Sequence, residues 1–153
     1  MPGQRLRQYL DSNNIRYVSI MHSPAYTAQG IANSAHISGK EIAKTVILKM
    51  KRSFFMAVLP ANRKINFDSL RKSFSDSDIS LAGEDDFKDI FPDCEIGAMP
   101  PFGNLYNMEV YVSNELSRTG EIAFNAGTHS ELIQMEYSDF ERLVKPKYMD
   151  FTY

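Results

Sequence analysis

Ser38-Gly39-Lys40-Glu41-Ile42-Ala43-Lys44-Thr45-Val46-Ile47-Leu48-Lys49-Met50-Lys51-Arg52-Ser53-Phe54-Phe55-Met56-Ala57-Val58-Leu59-Pro60 is the stretch that decides the fold. Two apolar runs flank a short basic turn at Met50 to Ser53, which predicts a pair of long strands joined as a hairpin. Side chains alternate along a strand, so Lys44, Val46, Leu48 and Met50 share one face. All but the lysine are apolar, which marks that face as the core side and leaves Lys44 at its head. An ammonium pointing at a core is costly unless something polar or anionic meets it. Lys44 is therefore either a strand-end lysine snorkelling to water or the chemical group of a site.

The chain of 153 residues suits one domain, spanning 1–153, with a sizeable core. Its 43% hydrophobic and 24% charged content is that of an ordinary soluble globular protein. No apolar run approaches the roughly 20 residues that span a bilayer. The opening Met-Pro-Gly-Gln-Arg-Leu-Arg lacks the apolar segment of a signal peptide. A single cysteine, Cys94, excludes an internal disulfide and suits a reducing compartment. The expected location is cytoplasmic, with neither membrane nor DNA as a partner.

The net charge of −2 conceals an asymmetry. Residues 1–75 carry 12 Lys and Arg against 3 Asp and Glu, and residues 76–153 carry 5 against 16. The halves can attract each other across the fold, or leave a basic face able to hold phosphates. Arg63, Lys64, Arg71 and Lys72, with Lys49, Lys51 and Arg52, are the natural members of such a face. A solvated surface is the plain alternative.

Around the hairpin, Gln4 to Asn13 has helical spacing and ends in a Ser-Asn-Asn breaker. Ile15 to Met21 alternates as a strand, and Thr27 is placed to cap a short helix over 28–35. After Pro60 come a basic loop, a helix from Asn66 to Phe74, a brief strand from Ile79 to Ala82 and an acidic-start helix from Glu84 to Phe91. Ile96-Gly97-Ala98-Met99-Pro100-Pro101-Phe102-Gly103 can be neither strand nor helix. It is stiff at its prolines, and its glycines allow a backbone to approach a ligand closely. Strands follow at 108–113, 121–124 and 132–137, with a polar loop, Asn125-Ala126-Gly127-Thr128-His129-Ser130, before the last. Ser138-Asp139-Phe140-Glu141 has the form of a capping box opening a final helix to Val144. About seven strands and five short helices, without regular alternation, predict an α+β fold with a mixed, curved sheet.

Three of these stretches together carry a resemblance: Ala43-Lys44-Thr45-Val46-Ile47, Gly97-Ala98-Met99-Pro100-Pro101-Phe102-Gly103, and Phe124-Asn125-Ala126-Gly127. With them the chain resembles the YbaK/EbsC family, stand-alone relatives of the editing domain inserted in bacterial prolyl-tRNA synthetase. The likeness runs over nearly the whole chain, with the Lys-Thr pair its most specific motif. It implies a mixed sheet partly rolled into a barrel and flanked by short helices. It also implies a hydrolase that removes a wrong amino acid from tRNA by cutting the ester to the terminal ribose. The partner so implied is the tRNA acceptor end, and an aminoacyl-tRNA synthetase is a second partner class that the kinship allows.

Carried over by residue, Lys44 matches the family's pocket lysine. Gly97, Pro101, Phe102 and Gly103 match the pocket-wall loop, whose backbone amides, Gly103 included, can hold the ester oxyanion. Gly127 matches the glycine of the second loop. Met99 and Asn125 are further substrate-side candidates, and His129 shapes the amino-acid side or acts as a general base. Tyr26 and Thr27 are pocket candidates that packing and capping would equally explain. Pro100 stands where relatives usually carry a small hydroxyl residue, and the amino acid cleared is left open.

No cofactor is expected and no metal, since His22, His36 and His129 lack the spacing of a ligand set. Cys94 follows Asp93, which disfavours a thiolate. The competing class is a module that binds an aminoacyl-tRNA end or a small ligand without turnover, and a third is a structural partner docked on a synthetase.

Overall fold

The structure, a computed structural model, describes residues 3–22, 40–51, 53–75, 78–87 and 89–153. In chain order its elements are α1 (Gln4–Ser12), β1 (Tyr17–Met21), β2 (Ala43–Met50), β3 (Ser53–Pro60), α2 (Phe67–Phe74), β4 (Ser80–Leu81), α3 (Glu84–Phe87), β5 (Glu109–Ser113), β6 (Glu121–Asn125), β7 (Glu131–Glu136), α4 (Tyr137–Val144) and β8 (Lys147–Met149). Short 3-10 turns occupy Gly103–Leu105 and Asn114–Arg118. The helix expected over 28–35, with its cap Thr27, lies outside the described residues, as does Tyr26.

The hairpin forms as its pattern demands. β2 and β3 pair antiparallel without a break from Ala43↔Pro60 to Met50↔Ser53. They sit inside a five-stranded sheet of order β4-β2-β3-β5-β8, where β3, β5 and β8 run parallel to one another. A second, antiparallel sheet has the order β1-β7-β6. The two are stitched at one point, a parallel bridge between Ile42 and Ala123, where the Ala123 amide donates to the Glu41 carbonyl at 2.9 Å. The mixed α+β architecture is the expected one, although the sheets do not close into a barrel.

Both faces of the hairpin are covered. Ala43, Ile47, Met56 and Val58 face a main core that β6, β7, α1 and α4 complete through Phe124, Ile133, Leu6, Leu10 and Phe140. The opposite face, with Leu48, Phe55, Ala57 and Leu59, packs on a smaller core against Leu70 of α2, Ile79 and Phe151. The expected core side of β2 is thus the side of the smaller core, and the main core lies behind it. Near-continuous apolar runs are what a strand buried on both faces requires. Leu70 is the keystone of the smaller core: α2 is capped by Asn66, whose side chain accepts from the Ser69 amide at 3.2 Å, and buries Leu70 completely. Truncation to alanine there would cost about 2–5 kcal/mol.

Two local expectations are corrected. The acidic helix is a single turn, Glu84–Phe87, and not a helix to Phe91; Asp86 caps its start by accepting from the Gly83 amide at 2.9 Å. Ser138 lies inside α4 and caps nothing. That helix is set instead by burial of Tyr137, Phe140 and Val144, and by a bond of 3.0 Å from the Tyr137 amide to the Gly120 carbonyl. The helix ends at Val144 as expected from Lys145-Pro146-Lys147, and Lys147 to Met149 then form edge strand β8 beside β5, an element absent from the sequence reading.

Candidate functional site

Lys44 stands at the second position of β2, opposite Leu59 on β3. It is half-buried. Burial, and after it the nearby Lys64 ammonium, hold its amine below the ordinary lysine value. Lys44 is thus partly withdrawn from solvent. Two residues before it, Ile42 forms the bridge to Ala123. Because the chains run parallel through that bridge, Lys44 and Asn125 each lie two residues further on, in the same direction. Asn125 is half-buried, and its enclosed Oδ1 has no hydrogen-bond partner among the described residues.

β6 then enters the second loop, which is latched to the glycine-proline loop. The Gly127 amide donates to the Ala98 carbonyl at 3.1 Å, and the Glu95 amide to the Gly127 carbonyl at 2.7 Å. Glu95 Oε1 accepts the His129 amide at 3.0 Å. The His129 ring closes the latch through Nε2, 2.8 Å from the Ile96 carbonyl. A carbonyl can only accept, so Nε2 carries a proton, and a general base on this ring would have to be Nδ1. His129 is 7% exposed. Gly97 makes this possible: its φ of +87° belongs to the left-handed region, and a Cβ there would sit 3.3 Å from His129 Cε1.

The wall loop itself combines side chains that belong to the core with a short run of backbone amides. Phe102 is fully buried against Phe124 and Phe140, and Met99 also belongs to the main core. Either can meet a ligand only through its backbone or after a rotamer change. Gly103 is dictated by packing, since a Cβ there would lie 2.4 Å from the Met108 carbonyl oxygen and 2.7 Å from Val110 Cγ2. Of the loop's donors, the Gly97 amide is turned to Met99 Sδ at 3.3 Å and the Ala98 amide to the Glu95 carbonyl at 3.0 Å. Pro100 and Pro101 have no N–H. The amides of Met99, Phe102 and Gly103 are the remaining N–H groups of the loop.

The structure breaks up the proposed basic face. Arg63 and Lys64 follow the end of β3 near Lys44, whereas Lys51 lies in the turn at the far end of the hairpin, about 25 Å away for eight residues of strand. Lys49, near that turn, pairs with Asp86 at 3.7 Å, and Arg71 with Asp68 at 3.5 Å. At the Lys44 end, Arg63 and Arg118 share a cleft with Lys40 and Glu115. Cys94 is no nucleophile: burial, with the Asp93 carboxylate beside it, pushes its thiol up to about 11. Sequence reasoning missed Glu95, Glu115 and Arg118. Glu95 reaches its partner across 34 positions, so no local spacing could announce it.

Residues 22–143 match the family described as Aminoacyl-tRNA editing domain. The chain belongs to this family. The editing domain here is similar to the prolyl-tRNA editing protein ProX of Acetoanaerobium sticklandii, 26% identical over 142 residues that cover 89% of this chain and 86% of that one. It is similar also to the multifunctional Ser/Thr-tRNA deacylase ProXp-y of Escherichia coli K12, 23% identical over 153 residues that cover 97% of this chain and 91% of that one. It spans only 16% of the proline–tRNA ligase of Fervidobacterium nodosum, to which 61% of it is 29% identical. Among solved structures the same fold occurs in hypothetical protein APE2540, with a TM-score of 0.85, 17% identity, and coverage of 98% of this chain and 100% of that one. It recurs in a candidate trans-editing enzyme for prolyl tRNA synthetase, with a TM-score of 0.82, 15% identity, and coverage of 99% and 96%.

Proposed function

We propose that this editing domain is an aminoacyl-tRNA deacylase that acts in trans, in the cytoplasm, on tRNA carrying a wrong amino acid. The observation that carries the reading is Lys44: a half-buried lysine at the head of β2, two residues from the bridge to the strand that leads into the latched loops, on a chain of the editing-domain family.

An aminoacyl ester is already activated, so the reaction needs a placed water and stabilisation of the developing oxyanion rather than a protein nucleophile. Water adds to the ester carbonyl to give a tetrahedral oxyanion. Collapse then breaks the bond to the ribose oxygen, which takes the proton, and the amino acid leaves. In this reading Lys44 fixes the terminal nucleotide, and the Met99, Phe102 and Gly103 amides take the oxyanion. Asn125, Gly127 and His129 bound the amino-acid side, with Gly97 and Pro101 shaping the wall. Each well-aimed donor is worth roughly 3 kcal/mol in such a site.

The test is deacylation of a panel of mischarged tRNAs by wild-type protein and Lys44→Ala. The expected result is release of one amino acid or a small group of them, abolished in the variant while the melting temperature holds. Full activity in Lys44→Ala rejects its role. Tight binding without release on any member of the panel would establish the non-catalytic reading instead.

A further inference from the structure

The hydrolytic reading places the terminal ribose near Lys44 but says nothing of the strand that delivers it. Next to that position, past Pro60, lies a cleft of about 240 Å3 lined by Lys40, Asn62, Arg63, Glu115, Arg118 and Thr119. Pro60 is the register partner of Ala43, and the Ala61 amide donates to the Ile42 carbonyl at 2.8 Å, so this cleft adjoins the start of β2. Three cations surround one carboxylate there, and Lys64 and Lys44 continue the positive charge inward.

The carboxylate is already employed. The Thr152 hydroxyl bonds to Glu115 Oε1. Although burial opposes it, that bond and the Arg63 guanidinium favour the charged form of Glu115. Thr152 belongs to a short tail that pairs with the basic loop: Lys64 and Tyr153 exchange backbone bonds of 3.0 and 2.9 Å, and Thr152 bridges Ile65. Glu115 and the tail therefore form a brace beside Arg63 on the wall of the cleft. Two guanidinium groups against the one Glu115 carboxylate leave these three residues with a net positive charge, which suits the cleft to an anion. Guanidinium groups are the donors that match a phosphate's geometry.

We propose that this cleft, between Arg63, Arg118 and Lys40 and braced by Glu115, holds a backbone phosphate of the RNA strand that leads to the acylated ribose. The inference rests on the deacylase reading but is tested by binding alone. The probe is an unacylated RNA microhelix with a single-stranded acceptor end, its affinity measured by fluorescence anisotropy from 50 to 300 mM salt.

Arg63→Ala/Arg118→Ala should weaken binding roughly tenfold at low salt and reduce the log–log salt slope by about 0.7, the share of one phosphate on a single strand. Lys51→Asn/Lys72→Ala removes the same formal charge elsewhere and should leave the slope within error of wild type. An unchanged slope in the arginine pair, or an equal loss in both pairs, overturns the assignment. So does a wild-type protein whose binding ignores salt. The deacylase reading fails by a different result, which is salt-dependent binding of the microhelix with no ester cleavage on any charged tRNA.

Discussion

The two ends of the β2–β3 hairpin carry similar positive charge and differ in what surrounds it. At the open end, Lys44 is half-buried, Lys64 and Arg63 stand close by, and the tail and the Ile42–Ala123 bridge bring in two other parts of the chain. At the turn end, Lys51 is exposed and Lys49 is paired with Asp86. A concavity of about 450 Å3 does lie there, larger than the cleft by Lys44, and Phe55, Phe74 and Tyr111 pack in it with ring centroids 5.0 to 5.3 Å apart. Its one lining carboxylate is already engaged: Tyr111 donates to Glu109 Oε2 at 3.0 Å and Lys147 to Glu109 Oε1 at 3.4 Å. Size alone therefore does not mark the site. The proposed site is argued instead from a half-buried charge beside two loops latched to each other.

That contrast is most exposed to a paired substitution. Lys44→Ala should lower the deacylation rate at least about 100-fold, the scale on which loss of substrate placement acts. Lys49→Ala should change it less than about twofold, because surface ion pairs contribute little and this one is remote from the loops. Comparable losses in both would mean that the charge of the hairpin matters and not its position.

The latch is the next largest effect. His129→Ala removes the bond to Ile96 and the ring packed under Gly97. Unfolding in urea should show a loss of about 1–2 kcal/mol. Deacylation should fall about tenfold as the wall loop loosens. His129→Gln can still donate to the Ile96 carbonyl and should recover most of the stability. If glutamine restores stability but no activity, the imidazole itself does chemistry.

At the turn end, Tyr111→Phe deletes one hydrogen bond to Glu109 and leaves the ring in place. It should cost about 1 kcal/mol in stability and nothing measurable in deacylation. A clear loss of activity there would move the functional centre of the molecule toward the larger concavity.

What could be read from sequence was what depends on near neighbours. Alternation gave away the hairpin, and glycine with proline gave away the loop at 97–103, because both signals live within a few residues. The covering of β2 on both faces was less legible, since one strand's pattern does not say which of two apolar faces meets the larger core. Ser138 misled for a related reason: a hydroxyl three residues before Glu141 looks like a cap only until Tyr137 is known to be buried. The Glu95–His129 and Glu115–Thr152 contacts join residues 34 and 37 positions apart, and only the register of other strands places them together. The site was thus visible as a list of residues and invisible as a latch and a brace.

The smallest expected effect is also the one whose sign discriminates best. Burial lowers the Lys44 pKa in the fold below the 10.5 of an unconstrained lysine. Between the two values the unfolded chain binds the extra proton, so stability attributable to this group rises with pH through that window. Below the folded value the full penalty of enclosing the ammonium is present. Lys44→Met should therefore make the protein slightly more stable than wild type at neutral pH, with the advantage shrinking as pH approaches 10.5. It should at the same time abolish deacylation, the pattern of a residue kept for function against stability. Differential melting of the two proteins from pH 7 to 10 measures this directly. A variant less stable than wild type at pH 7, or an advantage that grows with pH, would place the amine in solvent and remove the half-buried lysine on which the comparison of the two ends depends.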